Sequence, residues 1–376
     1  MTAYDLEELR GLSLARQFPL DTDVTGKGAD AVVEAVAHSG PIQSQTARSP
    51  FIGLAARLPG LTHEAVAEAY ESLGLVRGST IRGTVHTSTP DQHALLDATT
   101  RTAQRGLWAR FLKLDHTDLD EVWAAIETYA SGAWRSPAEL FAFLAEWLEG
   151  QGEVESAQRM DNQAGRYFAF GHGGLLRRPL AGSWSGQGAP GYRTAAALLP
   201  ARPVSEDPLT DVVRLHLTSH GPSSRHDLAW WSGLGLRQVD AALDRLGPTW
   251  REGPDGRTYA DLPDAPAPRD LPGVRLLPEF DALLCGYDPK ARDRFVDTAD
   301  NAVLWHRANG LMLAPVLIDG RIGGHWRLEG KARTRSLTVS SFPGSRRPRR
   351  AEVDDAVERL ASALDLTVAA VTVTRL

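Results

Sequence analysis

In the stretch GPIQSQTARSP, Gly40 to Pro50, two glutamines stand two residues apart, Gln43 and Gln45. A carboxamide is a poor acid, a poor base and a poor nucleophile. It offers a carbonyl oxygen that accepts hydrogen bonds and an amino group that donates them. In extended backbone, side chains two residues apart leave on the same side, so both amides can converge on one point. In a helix they diverge by about 200°. Joint chemistry therefore requires a non-helical segment. The competing reading is that each glutamine caps a neighbouring helix, and Q-x-Q alone does not choose between the two.

Other catalytic apparatus is missing from the sequence. The single cysteine, Cys285, allows neither an intrachain disulfide nor a cysteine-rich metal site. The eleven histidines lack ligand spacing, and HEAVAE at His63 lacks the second histidine of a zinc motif, which leaves an ordinary helix start. There is no G-x-G-x-x-G after a strand, no G-x-x-x-x-G-K-[ST] loop and no G-x-S-x-G elbow. An enzyme built on this chain is expected to use no metal, no cofactor and no covalent nucleophile.

With 376 residues and 42% hydrophobic content, the chain has material for packed cores in two to four domains. The net charge of −6 does not announce a nucleic-acid binder. Arginine-rich SRRPRR (Ser345–Arg350) and LLRRPL (Leu175–Leu180) read first as solvated faces. The N-terminus lacks the apolar core of a signal peptide, and no apolar run approaches the ~20 residues of a membrane span. A cytoplasmic protein without membrane contact is expected. No coiled-coil heptad is present, so a monomer is expected.

The elements that must position the glutamines read most clearly in the third quarter. DPLTDVVRLHLTSHG and PSSRHDLAWWSGL are helices, the second capped by Ser224 with Asp227 three residues on. LRQVDAALDRLG follows after a turn, and PTWREGPDGRTYADL is a hairpin about Gly-Pro-Asp-Gly. That order is the winged-helix plan. It recurs less cleanly in the first third (GADAVVEAVAHSG, SPFIGLAARL, THEAVAEAYESLG, then LVRGSTIRGTVHTS). It recurs again in the middle, where Ser136, Pro137 and Glu139 mark a helix start and GHGGLLRRPLAGSWSGQGAPGYRT reads as a long wing. Beyond a proline-rich linker after Pro263, alternating runs with Gly turns predict an antiparallel β-domain, with one helix and a last strand, TVAAVTVTRL. The expected fold is α+β: three tandem winged-helix units over residues 1–95, 96–204 and 205–262, then a β-barrel-like domain over 271–376.

Taken with RGTVH (Arg82–His86), DLAWWSGL (Asp227–Leu234), LLPEFDALLCGY and VLIDGRIGGHWR, the Q-S-Q segment is similar to that of the AlkZ/YcaQ-type DNA glycosylases. The resemblance covers nearly the whole chain and implies tandem winged helices plus a C-terminal β-barrel around a concave DNA-binding surface. It implies excision of alkylated purines, notably N7-alkylguanine, from double-stranded DNA, and in some members the unhooking of antibiotic interstrand crosslinks as self-resistance. It also implies a catalytic motif Q-Φ-Q, Φ being aliphatic, whose glutamine positions fall on Gln43 and Gln45. Ser44 departs from the motif, which points to a subfamily with a different lesion preference. DNA as substrate implies association with the nucleoid.

For DNA contacts the candidates are Arg82 (phosphate) and His86 (lesion strand), against a salt bridge and a hydrogen-bonded strand histidine. Arg48 reads as a clamp on a flanking phosphate, or as a helix-start partner. Arg321, His325 and Arg327 lie on an expected hairpin suited to the minor groove. Trp326 and Trp230-Trp231 read as packing. Two other functions compete: a winged-helix regulator that binds an operator without catalysis, and a family member that binds lesions without excising them.

Overall fold

Helices begin where the sequence supplies caps. Thr89, Asp118, Ser136 and Ser224 each accept a hydrogen bond from the third helical N–H, and Gln92, Glu121, Glu139 and Asp227 each accept one from the cap backbone N–H. In the computed structural model, which describes residues 3–18, 28–201, 205–306, 310–330 and 333–376, these caps open four of the main helices.

In the first third, helices Gly28–Ser39, Ser49–Arg57 and His63–Glu71 enclose a core that includes Val36, Phe51, Leu54, Val66 and Tyr70. Strands Val76–Ser79 and Val85–Ser88 follow as an antiparallel hairpin. The short strand Ile42–Gln43 pairs on the outer side of Val85–Ser88. The middle contributes helices Leu119–Tyr129, Pro137–Gly150, Val154–Gln158 and Gln163–Phe170, then strands Leu175–Pro179 and Pro190–Thr194. The two hairpins are joined edge to edge. Gly78 pairs with Leu176, so one five-stranded antiparallel sheet runs through both.

The boundary expected between residues 95 and 96 falls inside one continuous 23-residue helix, Pro90–Leu112. The GHGG run explains how that helix is held. A Cβ on Gly173 would stand 2.5 Å from Asp97 Oδ1, and one on Gly174 2.2 Å from Glu127 Oε1. Only glycine lets the chain pass over the Asp97–Arg101–Glu127 ion pairs.

Helices Pro208–His220, Arg225–Ser232 and Leu236–Leu246 and strands Ser223–Ser224, Thr249–Glu252 and Thr258–Asp261 follow the pattern read from sequence. The C-terminal sheet orders its strands Thr367–Arg375, Thr334–Ser341, Arg321–Glu329, Ala314–Ile318 and Val274–Leu276. Its two edge strands do not pair with each other, so it is a curled half-barrel. The expectation of a wholly antiparallel domain is corrected at one edge, where Thr367–Arg375 runs parallel to Thr334–Ser341. Helix Arg350–Leu364 is the reason: a strand-helix-strand crossover returns the chain to the end it left.

The N-terminal helix Leu6–Gln17 joins the parts of this mixed α+β fold. Arg16 donates to Asp261 at 2.6 Å and to Gly221 O at 2.7 Å. Gln17 donates to Ser39 O and Ser219 O, both at 2.7 Å, and accepts from Arg57. Arg57 in turn grips Asp281 through two bonds, 3.0 and 3.1 Å long. Among the described residues, no helix is long and apolar enough to cross a membrane.

Candidate active site

Gln43 lies opposite His86 across the antiparallel pair, and the Ser44 N–H extends the ladder to Val85 O at 2.7 Å. The chain then bends, and the next helix starts only at Ser49. Side chains alternate accordingly. Ser44 turns into the core at 2% exposure, while Gln43 is half-buried and Gln45 exposed. The non-helical backbone that joint chemistry requires is present. The following helix has Arg48 as its N-cap and no side-chain cap, so neither glutamine serves it.

Arg82 sits in the hairpin loop with φ 56°, the left-handed region. Its guanidinium donates to Trp231 O at 2.6 Å and to Trp230 O at 3.3 Å, at the end of helix Arg225–Ser232, where helix carbonyls favour a cation. Its Nη2 stands 3.5 Å from Gln43 Oε1. Arginine only donates, so the Gln43 oxygen is the atom turned toward it; that oxygen keeps a second lone pair. His86 is buried beside them and donates Nδ1–H to Thr84 O at 3.0 Å. Burial, reinforced by Arg82, pushes its pKa down to about 3, so its ring is neutral.

The remaining candidates lie apart. Arg48 pairs with Glu279 at 2.6 Å. It lines a recess of about 580 Å³ with His63, Ser183, Ser185, Arg333 and Arg335. Arg321 pairs with Asp297 at 2.7 Å. His325 is buried in the half-barrel sheet between Pro315 and Ser340, and Arg327 is exposed. The Asp319–Gly320 turn of that hairpin is seated in the body of the protein, since a Cβ on Gly320 would stand 2.7 Å from Leu14 Cδ1. Among the described residues no hydrogen bond or ion pair joins Arg48, Arg321, His325 or Arg327 to the glutamines. Among the described residues, no cluster of three or more histidine, cysteine or carboxylate side chains is arranged to hold a metal ion.

Sequence reasoning missed two groups, one under Ser44 and one in the field of Arg82. Thr87, Tyr70 and Arg77 lie under Ser44. Arg292 is 4% exposed, 4.6 Å from the Trp305 ring centroid and 5.7 Å from that of Trp230. Its Nε and Nη2 have no hydrogen-bond partner among the described residues. No sequence signal marks a buried arginine, because the residue is ordinarily solvated. Cys285 is buried and its thiol is pushed up to about 11, which makes it inert.

The model of the AlkZ-like DNA glycosylase family matches residues 36–363, and the chain belongs to that family. It is therefore a DNA glycosylase, with DNA as its substrate. Among solved structures, the Streptomyces sahachiroi DNA glycosylase AlkZ has the same fold, with a TM-score of 0.77 and 20% sequence identity over 99% of this chain and 100% of that one. No curated protein matches the chain.

Proposed function

We propose that the enzyme hydrolyses the N-glycosidic bond of N7-alkylguanine-type lesions, with Gln43 and Gln45 placing the attacking water. The observation that carries this reading is the burial pattern of a non-helical segment: Ser44 is buried, while Gln43 is half-buried and Gln45 exposed. Gln43 has as neighbours a guanidinium, which cannot accept a proton, and the His86 imidazole, whose basicity burial lowers to a pKa of about 3.

The substrate explains why amides suffice. Alkylation at N7 places a positive charge on guanine, so the base departs as a neutral purine without an acid to protonate it. What remains is an oxocarbenium-like sugar and a water that must approach from the correct face. An amide carbonyl accepts a hydrogen bond from that water, and its dipole favours the cationic sugar. Arg82 holds the Gln43 oxygen in the required orientation, at a distance long enough to leave it available.

We read the three helix-plus-hairpin groups as winged-helix units that present a concave surface to one duplex. Arg48 and Arg82, with Arg321 and Arg327 on the half-barrel, are the proposed phosphate contacts. His86 and His325 act through packing, being 4% and 8% exposed. Interstrand crosslinks formed by DNA-alkylating antibiotics are the larger substrates of this reading. Their unhooking would give self-resistance through a monomeric enzyme at the nucleoid.

The test is base release from duplex DNA carrying N7-methylguanine. Wild type is expected to release the base, and Gln43→Ala and Gln45→Ala to be slowed about a hundredfold or more in single-turnover rate, the loss associated with one positioning group. No release by wild type, or full activity in both variants, overturns the reading.

A further inference from the structure

Ser44 is the residue at which this chain departs from Q-Φ-Q, and its surroundings assign it a task. Its Oγ lies 2.8 Å from Ile42 O and 2.8 Å from Thr87 Oγ1. Thr87 Oγ1 lies 2.5 Å from the Tyr70 hydroxyl, and Arg77 Nη2 lies 3.0 Å from that same hydroxyl. All four residues are at most 5% exposed.

Chemistry fixes the direction of every bond. Arg77 can only donate, so Tyr70 accepts from it. Ile42 O can only accept, so the Ser44 proton goes there. Each hydroxyl has one proton, so Thr87 donates to Ser44 and Tyr70 donates to Thr87. The result is a single file of bonds from a cation to a peptide carbonyl, Arg77 to Tyr70 to Thr87 to Ser44 to Ile42, all pointing the same way. Such chains polarise one another and strengthen each link.

The two ends of the chain matter most. Ile42 O immediately precedes Gln43. Arg77 Nη2 also donates to Ala47 O at 3.2 Å, two residues after Gln45. The file therefore ties down the backbone on both sides of Q-S-Q, while Gln43 and Gln45 are less buried than Ser44 between them. An aliphatic middle residue would leave the file ending at Thr87.

We propose that Ser44, Thr87, Tyr70 and Arg77 are positioning residues that set the aim of Gln43 and Gln45, and that Ser44 is a working substitute for the aliphatic residue of the motif. This rests on the water-placement reading above.

The experiment measures single-turnover excision of N7-methylguanine and affinity for the same duplex. The variants are Thr87→Val, Thr87→Ser, Ser44→Ala and the Ser44→Ala/Thr87→Val double. Thr87→Val is expected to lose roughly tenfold to a hundredfold in rate, the scale of a small misplacement, with affinity unchanged within about twofold. Thr87→Ser keeps the hydroxyl and is expected to keep the rate. The double variant is expected to be no slower than Thr87→Val alone, because both changes cut one chain. Wild-type rate in Thr87→Val, equal loss in Thr87→Ser, or losses that multiply in the double variant would each overturn the proposal. If Gln43→Ala and Gln45→Ala lose excision while Thr87→Val does not, the chain alone fails. If the glutamine variants keep full rate, the water-placement reading fails first.

Discussion

Buried and half-buried arginines occur in two settings in this protein. At the joints between its parts they are matched to carboxylates: Arg16 with Asp261 and Arg57 with Asp281, all at most 3% exposed in the side chain. Around the Q-S-Q segment and Arg82 they are not. Arg77 is held by a hydroxyl, two peptide carbonyls and the faces of Tyr70 and Trp184, and Arg82 by two carbonyls and an amide. Arg292 is held by two indole rings. Among the described residues no carboxylate lies within ion-pair distance of any of the three. Burial lowers the pKa of Arg82 and Arg292 without neutralising either group. A matched pair stabilises a joint by making its two halves mutually dependent. An unmatched cation keeps its field, and a DNA-processing surface gains by leaving that field for a polyanion.

This contrast is open to measurement. The largest effect is expected at a joint. Asp281→Ala leaves Arg57 buried without its partner and should destabilise the fold by about 3–5 kcal/mol, the range for breaking a buried pair. Denaturant midpoints would show it, and a midpoint equal to wild type would remove the distinction. Arg82→Met should lower single-turnover excision by about 1.4–2.7 kcal/mol in barrier terms, tenfold to a hundredfold. Its loss of stability should be smaller than that of Asp281→Ala, and the reverse order would show that Arg82 is a joint residue too.

Acid offers a third probe. Burial pushes His86 and His172 down to about 3 and His216 to about 4. Below the unfolded-state value of about 6.5 the unfolded chain takes up protons that these folded rings refuse. Stability should therefore be full above pH 6.5 and fall steadily as pH drops toward 4. Urea midpoints should follow, and His172→Phe should flatten the slope. An unchanged slope would show that His172 is not held neutral. The smallest effect is expected from Arg346→Ala. This arginine is part-exposed on the surface between Asp319 and Glu352, and its loss should shift stability by less than about 1 kcal/mol. A larger loss, read from the same urea midpoints, would place it with the joint arginines.

Local signals were legible and long-range ones were not. Ser136–Glu139 and Ser224–Asp227 are capping boxes in sequence and in structure. The Gly-Pro-Asp-Gly turn is followed by the paired strands it predicts. Helix Pro90–Leu112 is hard to read from sequence although Thr89-Pro90-Asp91-Gln92 is a helix start, because its apolar residues form no continuous stripe. The join of two hairpins through Gly78 and Leu176 spans nearly a hundred residues of chain, and no local pattern encodes it. The parallel last strand had a readable cue, a helix between two β-rich runs, but a short crossover and a hairpin look alike until the partner is known. At the site, spacing and residue type isolated Gln43 and Gln45. Thr87 and Tyr70 carry no such mark, since a hydroxyl on a strand and an aromatic on a helix are ordinary core residues.

The N-terminal helix Leu6–Gln17 has a consequence for how the protein is made. Ser13 meets Arg294 across 281 positions of chain, and Arg16 meets Asp261 across 245. At a translation rate of ~5–20 residues per second, this helix waits ~15–55 s for its partners to leave the ribosome. Throughout that interval its Leu9, Leu12 and Leu14, buried in the finished protein, lack their final cover. This helix is thus made well before its partners and fixed in place only after them, with an apolar face that needs cover throughout the wait.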